Sequence, residues 1–322
     1  MRGASMGSRN GGHRCHVQDG MDGAERLKIA LDESRMLVLG SQVLLGFQFR
    51  SVFQDAFEQL SARTKLWDGL ALLLMVVVVA LLIAPAIHHR VVENGEATRR
   101  MLRAVTIVMG MALVPFALSL GINIFIALQR VTTIPWPSLF GVAATATALV
   151  FWFGIEWLAV ARKGGKDVKM QNEHVPLAKK IDQLLTEGRV ILPGAQALLG
   201  FQLSVVLTEA FDKLPSSSKS AHAAALGSVA LSTILLMAPA AYHRIVYAGE
   251  ASEDFLRLGS RFILAATAAL ALGLANDVYV VMAKIAGSVQ VGIASAAFSL
   301  AILIGLWHVS PAAIRVYRAR GA

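Results

Sequence analysis

The 322-residue chain has one cysteine, Cys15, so no internal disulfide can form and a disulfide-stapled scaffold is excluded. Charge is also scarce. Asp, Glu, Lys and Arg make up 16% of the residues, against about 25% in soluble domains. A soluble fold with so few charges would expose large apolar patches. No Walker loop, His-Glu-x-x-His pair or Gly-x-Ser-x-Gly elbow occurs, and no metal-ligand spacing clusters. An enzyme is therefore disfavoured, and neither a cofactor nor a metal is expected; Cys15 beside His13 and His16 reads as part of a polar tail. Residues 1–20 lack the apolar run of a secretory signal peptide. Residues 1–23 read as a disordered extension rich in Gly, Ser and Arg, with Met1, Met6 and Met21 all available as starts.

What the chain does have is apolar length. Hydrophobic residues make up 56% of it, and the mean hydropathy is +0.60. Leu66 to His89 reads LWDGLALLLMVVVVALLIAPAIHH, with nineteen uncharged residues from Gly69 to Ile87. At about 1.5 Å of rise per residue, a helix of that length covers the roughly 30 Å hydrocarbon core of a bilayer. Pro85, His88, His89 and Arg90 close it, as suits a helix leaving lipid for water. The fold class expected is all-α, a polytopic membrane protein.

The same ending recurs 154 residues later, where Ala238-Pro239 and His243-Arg244 repeat Ala84-Pro85 and His89-Arg90. The register is constant. Gln42-x-Leu-Leu-Gly-Phe-Gln48 meets Gln196-x-Leu-Leu-Gly-Phe-Gln202, Asp55-Ala-Phe meets Glu209-Ala-Phe, and Gly95-Glu96 meets Gly249-Glu250. So many gapless matches mark a duplication. Each copy supplies four apolar segments. The expectation is about eight transmembrane helices as two parallel four-helix repeats, at 24–160 and 178–315. A cytoplasmic linker (161–177) would join them, and a basic tail (316–322) would follow. The first span is expected at 36–57, the fifth at 190–211 and the eighth at 289–309. Residues 22–35, and a copy carrying Leu177, Ile181, Leu184 and Leu185, read as short amphipathic helices on the membrane surface.

Of the 30 lysines and arginines, 23 fall on one side of this topology and six on the other. The positive-inside rule then places both termini in the cytoplasm, with the chain in the inner (plasma) membrane. That bias accounts for the net charge of +9 without nucleic acid. The expected partners are the bilayer and its anionic lipids at the cytoplasmic face, with a homo-oligomer or a membrane complex left open. Four spans per repeat is an even number, so both copies enter the membrane the same way, about a pseudo-two-fold axis along its normal.

The polar residues within the apolar segments are the functional candidates. Gln48 and Asp55 lie seven residues apart and share a helix face, as do Gln202 and Glu209; Gln42 and Gln196 sit on an adjacent face. Amides in hydrocarbon need partners, so these residues read as interhelical glue or as the lining of a polar path. Asp55, Glu209, Asn123 and Asp277, at the outer ends of their spans, read as an acidic vestibule for cations or as solvated ends. A second motif marks the inner interface: Pro85, His89, Arg90 and Glu96, with Pro239, His243, Arg244 and Glu250. It reads as kinks, interfacial anchors and a helix restart.

The Leu-Gly-Phe-Gln segment and the Ala-Pro-x-x-His/Tyr-His-Arg ending resemble a family of small four-span membrane proteins of bacteria and archaea with no assigned function, here as a tandem fusion over 24–160 and 178–315. The resemblance implies membrane residence and a four-helix unit, and it carries no functional residue over. The sequence favours a transporter or channel-like protein handling a small solute or cation at the repeat interface. The alternative is a structural or accessory membrane protein without transport.

Overall fold

The computed structural model describes residues 23–93, 96, 98–131, 136–154, 175–247 and 250–320. The extension with Cys15, most of the 161–177 linker, Gly95 and Gly249 lie outside the described residues. The elements are α1 (Gly23–Ser51), α2 (Asp55–Glu58), α3 (Ala62–Val91), α4 (Arg99–Val131), α5 (Pro137–Leu149), α6 (Leu177–Val205), α7 (Glu209–Asp212), α8 (Ser216–Ile245), α9 (Glu253–Ala286), α10 (Val289–Ile304) and α11 (Ser310–Arg320). A π-helical turn, Val150–Gly154, extends α5, and a second, Gly305–Val309, joins α10 to α11. The described residues contain no strand.

Local chemistry sets the boundaries. The side chains of Ser61, Ser252 and Ser288 accept from backbone N–H groups three residues on, starting α3, α9 and α10. Gly287, at φ 61°, closes α9 in the left-handed region that glycine adopts without a steric penalty. The expected surface helices are not separate elements. Residues 23–35 run straight into α1, and 177–189 into α6. In α1 the Ser34 hydroxyl donates across to Leu82 O (3.1 Å), tying the first part of the helix to α3. The first and fifth spans stop at Ser51 and Val205, short of the expected 57 and 211. Asp55 and Glu209 therefore fall in the one-turn helices α2 and α7. The basic tail is helical as far as Arg320.

Among the described residues, five helices are long and apolar enough to cross a membrane: Ala62–Val91, Arg100–Gln129, Ser216–His243, Glu253–Ala286 and Val289–Arg320. α1 and α6 have 29 residues each and carry the repeated glutamines. α5 is apolar but has 13 residues.

Bonds at the ends of the helices fix their directions. The N-terminal half of α1 meets the C-terminal end of α3 through Ser34. The N-terminal part of α6 meets that same end of α3 through an Arg90–Glu187 ion pair. Both helices oppose α3, so α1 and α6 run parallel, side by side. One pole of the bundle holds Arg90–Glu187, Lys180–Glu96 (2.6 Å) and Arg318–Glu93 (3.0 Å). The other holds Lys65–Glu58 (3.4 Å) and Lys284–Glu58.

Packing breaks the symmetry of the sequence. α3 sits at the centre, against α1, α4, α9 and α10. The buried Trp307 indole of the second π-helical turn donates to Ala80 O of α3 at 2.8 Å. The most apolar window of α3 is 61% buried; that of α8, its counterpart, is 33% buried, because α8 gains no comparable cover from α4 or α5.

Candidate functional site: buried polar groups along the repeat seam

The α1–α6 seam is tight. A Cβ on Gly46 would collide with the Phe201 ring, and one on Gly194 with the Gln42 side chain. The Phe47 and Phe201 rings meet with centroids 4.8 Å apart. Small residues at such a crossing let backbones approach closely.

Near one end of the seam lies a layer of buried hydrogen-bonding groups. In the first repeat Gln48 Nε2 donates to Ser119 Oγ (2.9 Å), which donates to Ala71 O (2.9 Å). Asn123 Nδ2 donates to Ser119 O (2.7 Å), back within α4. Three helices are tied through one serine. Asp68 is buried on α3, and its Oδ2 has no partner. In the second repeat Gln202 Nε2 donates to Asp277 Oδ2 (2.8 Å), while Asp277 Oδ1 has none. His222 Nε2 donates to Gln202 O (3.2 Å) and leaves Nδ1 without a partner. The His222 ring stacks on Phe49 of the other repeat, with centroids 5.9 Å apart and planes 2° apart. Asp68 and His222 occupy the same register position. So do Asn123 and Asp277. Within this layer each repeat thus holds one buried carboxyl, on the second apolar helix in one copy and on the third in the other.

Of the residues expected here, Gln42, Gln48, Gln202 and Asp277 are buried, Asn123 is half-buried, and Gln196, Asp55 and Glu209 are exposed. Asp277 is held by Gln202 inside the bundle, whereas Asp55 lines a surface cleft of about 580 Å³ with Glu58, Lys213 and Lys284. Asp68, His222 and Ser119 were not among the expected residues. For Asp68 and His222 the signal was the register, since both positions are polar and 154 apart; Ser119, opposite Gly273, had none.

At the other end sits the second motif. Pro85 and Pro239 are buried inside continuous helices. Arg90, largely buried, pairs with Glu187 of α6 and donates to Ser260 Oγ of α9 (3.2 Å), bridging the repeats. His89 is 2% exposed. Glu96 accepts from Lys180 (2.6 Å) and from Val175 N (2.9 Å). His243 packs on Phe255 (4.7 Å), and Glu250 is exposed. The side chain of Arg244 lies outside the described residues. Among the described residues no three His, Cys, Asp or Glu side chains converge as metal ligands would.

Two in-register helical units, five membrane-length helices and a polar seam define a duplicated helical bundle. The chain belongs to DUF6328, a family of unknown function, which it matches twice, over residues 25–156 and 171–311. The two matches bear out the tandem duplication. No curated protein and no solved structure matches it.

Proposed function

We propose that the chain is a multi-pass protein of the inner membrane with about eight spans. Its repeats enter alike, both termini are cytoplasmic, and it serves as a structural or accessory membrane component whose repeat seam is a fixed joint. The observation that carries this is the dryness of the seam. Gln42, Gln48 and Gln202 are buried, and the void beside Asp277 is about 10 Å³, which admits at most about one water. The polar groups then act as glue between helices. The orientation rests on the positive-inside rule and on the described ends, the start of α1 and the end of α11, lying at the pole that holds Arg90 and Arg318.

A second reading, passage of a small solute or cation along the seam, is favoured by the partnerless oxygens of buried Asp68 and Asp277. Ionisable groups at such depth are costly, and where they occur they commonly mark ion or substrate paths. Two experiments test the proposal. In a Cys15→Ser background, Asp182→Cys and Ser217→Cys are expected to label from opposite faces of the membrane; labelling from one face overturns the topology. Proteoliposomes are expected to pass protons, monovalent cations and small neutral solutes no faster than empty vesicles. A flux that Gln202→Leu abolishes would establish the second reading instead.

A further inference from the structure

At the pole carrying the buried ion pair, α6, α9, α11 and the end of α3 enclose a cleft of about 440 Å³. Its floor is polar and buried. Arg90 spends one guanidinium nitrogen on Glu187 and another on Ser260, and its buried Nε has no partner. His89, 2% exposed, leaves Nε2 without a partner, and Gln183 leaves Oε1 so. A buried donor without an acceptor, as Arg90 Nε is, is costly, and all three atoms border an open cleft.

The rim is cationic. Lys180 and Arg257 are engaged by Glu96 and Asp254, at 2.6 Å each. Arg261 and Arg315 line the cleft, exposed, with no partner among the described residues. The acids lining it are Glu187, already spent on Arg90, and Glu253. Leu184, Leu256 and Leu264 continue the wall in apolar side chains. Free guanidinium groups above a buried guanidinium with an unspent N–H match a phosphate group, whose oxygens take paired N–H donors. An apolar wall below them matches what is attached to a lipid phosphate.

The duplication supplies a control. In the first repeat the position of Arg261 holds Ile107, that of Arg315 holds Ala161 and that of Gln183 holds Ile29. These three side chains of the cleft thus occur in the second copy alone, where general attraction of a basic face to a membrane would use both copies.

We propose that this cleft binds a phosphate group, in its membrane setting the headgroup of an anionic phospholipid. The test uses the full chain in mild detergent, with binding followed by native mass spectrometry and by the shift in unfolding temperature. Phosphatidylglycerol is expected to be retained and to raise the unfolding temperature; phosphatidylcholine is not. Arg261→Gln with Arg315→Gln is expected to weaken phosphatidylglycerol binding at least about tenfold, the loss of two charge-assisted contacts, and to leave the lipid-free unfolding temperature unchanged. Arg100→Gln with Arg103→Gln removes the same charge from exposed positions of the first repeat and is expected to change nothing. Inorganic phosphate that stabilises the protein equally and displaces the lipid would keep the site and make free phosphate its ligand. Equal weakening by both double variants would overturn the proposal, as would phosphatidylglycerol binding no better than phosphatidylcholine.

Discussion

Gly46 and Gly200 hold the same place in two copies of one unit, yet a Cβ on the first would strike Phe201 and a Cβ on the second meets nothing within 4 Å. The pattern recurs along the seam. Gly194 is pressed against Gln42, while Gly40, its counterpart, is open, and Gln196 is exposed where Gln42 is buried. α3 is wrapped and α8 is not. The difference teaches that duplication copies the sequence pattern without copying the packing. Once α1 and α6 share one seam, a single set of knobs fills it. The other set is free to drift, because nothing tests its volume.

The largest expected effect tests the bond that joins the copies. Glu187→Leu leaves Arg90 buried without its counter-charge. It should lower the unfolding free energy in detergent by about 3–5 kcal/mol, and Arg90→Met in the same chain should recover most of that. A loss under about 1 kcal/mol would mean that water reaches the pair.

Next come the glycines. Gly46→Ala and Gly194→Ala should each cost about 1–3 kcal/mol by overpacking. Gly200→Ala and Gly40→Ala should be neutral or stabilise by up to about 1 kcal/mol through reduced chain entropy. Equal effects within either pair would show that the seam is symmetric after all.

The two glutamines sharpen the contrast within the polar layer. Gln202→Leu takes away the donor to a buried carboxyl oxygen and should cost about 1–3 kcal/mol. Gln48→Leu should cost about 0.6 kcal/mol, a typical hydrogen bond between membrane helices, since Ser119 keeps its bond to Ala71 O. The unfolding temperatures of the two single variants decide this.

The smallest effect lies at the opposite pole. The hydrogen bond from Lys284 holds the Glu58 carboxyl below its ordinary value of 4.5, against slight desolvation and with help from the charges of Lys284 and Lys65. A carboxylate with a lowered native pKa stabilises fully above its unfolded value and loses that contribution as pH falls through the native one. Glu58 is exposed, so Glu58→Gln should cost less than about 1 kcal/mol at neutral pH. The gap to the parent chain should close as acid titrates the group, in melts run from neutral pH to well below 4.5.

Much of this was legible in the chain. The apolar run from Gly69 to Ile87 and its recurrence 154 residues on gave the helical unit and its doubling. Gln48 and Gln202, read as amides that need partners within apolar spans, are buried, whereas Asp55 and Glu209, read on the same helix faces, are exposed. Asp68 drew no reading from the sequence, since it stands just before the uncharged run that opens at Gly69. α3 begins at Ala62, so residue 68 falls nearly two turns inside the bundle. The amphipathic start of α1 showed which face is apolar, but lipid and protein reward that pattern alike.

By itself the sequence determined the helices, their doubling and the pole where basic residues gather, since local hydropathy and charge act residue by residue. Only the tertiary structure decided which copy of each pair is buried. Contacts between helices depend on volumes that meet across the seam, and a volume such as Phe201 against Gly46 has no signature within either helix alone.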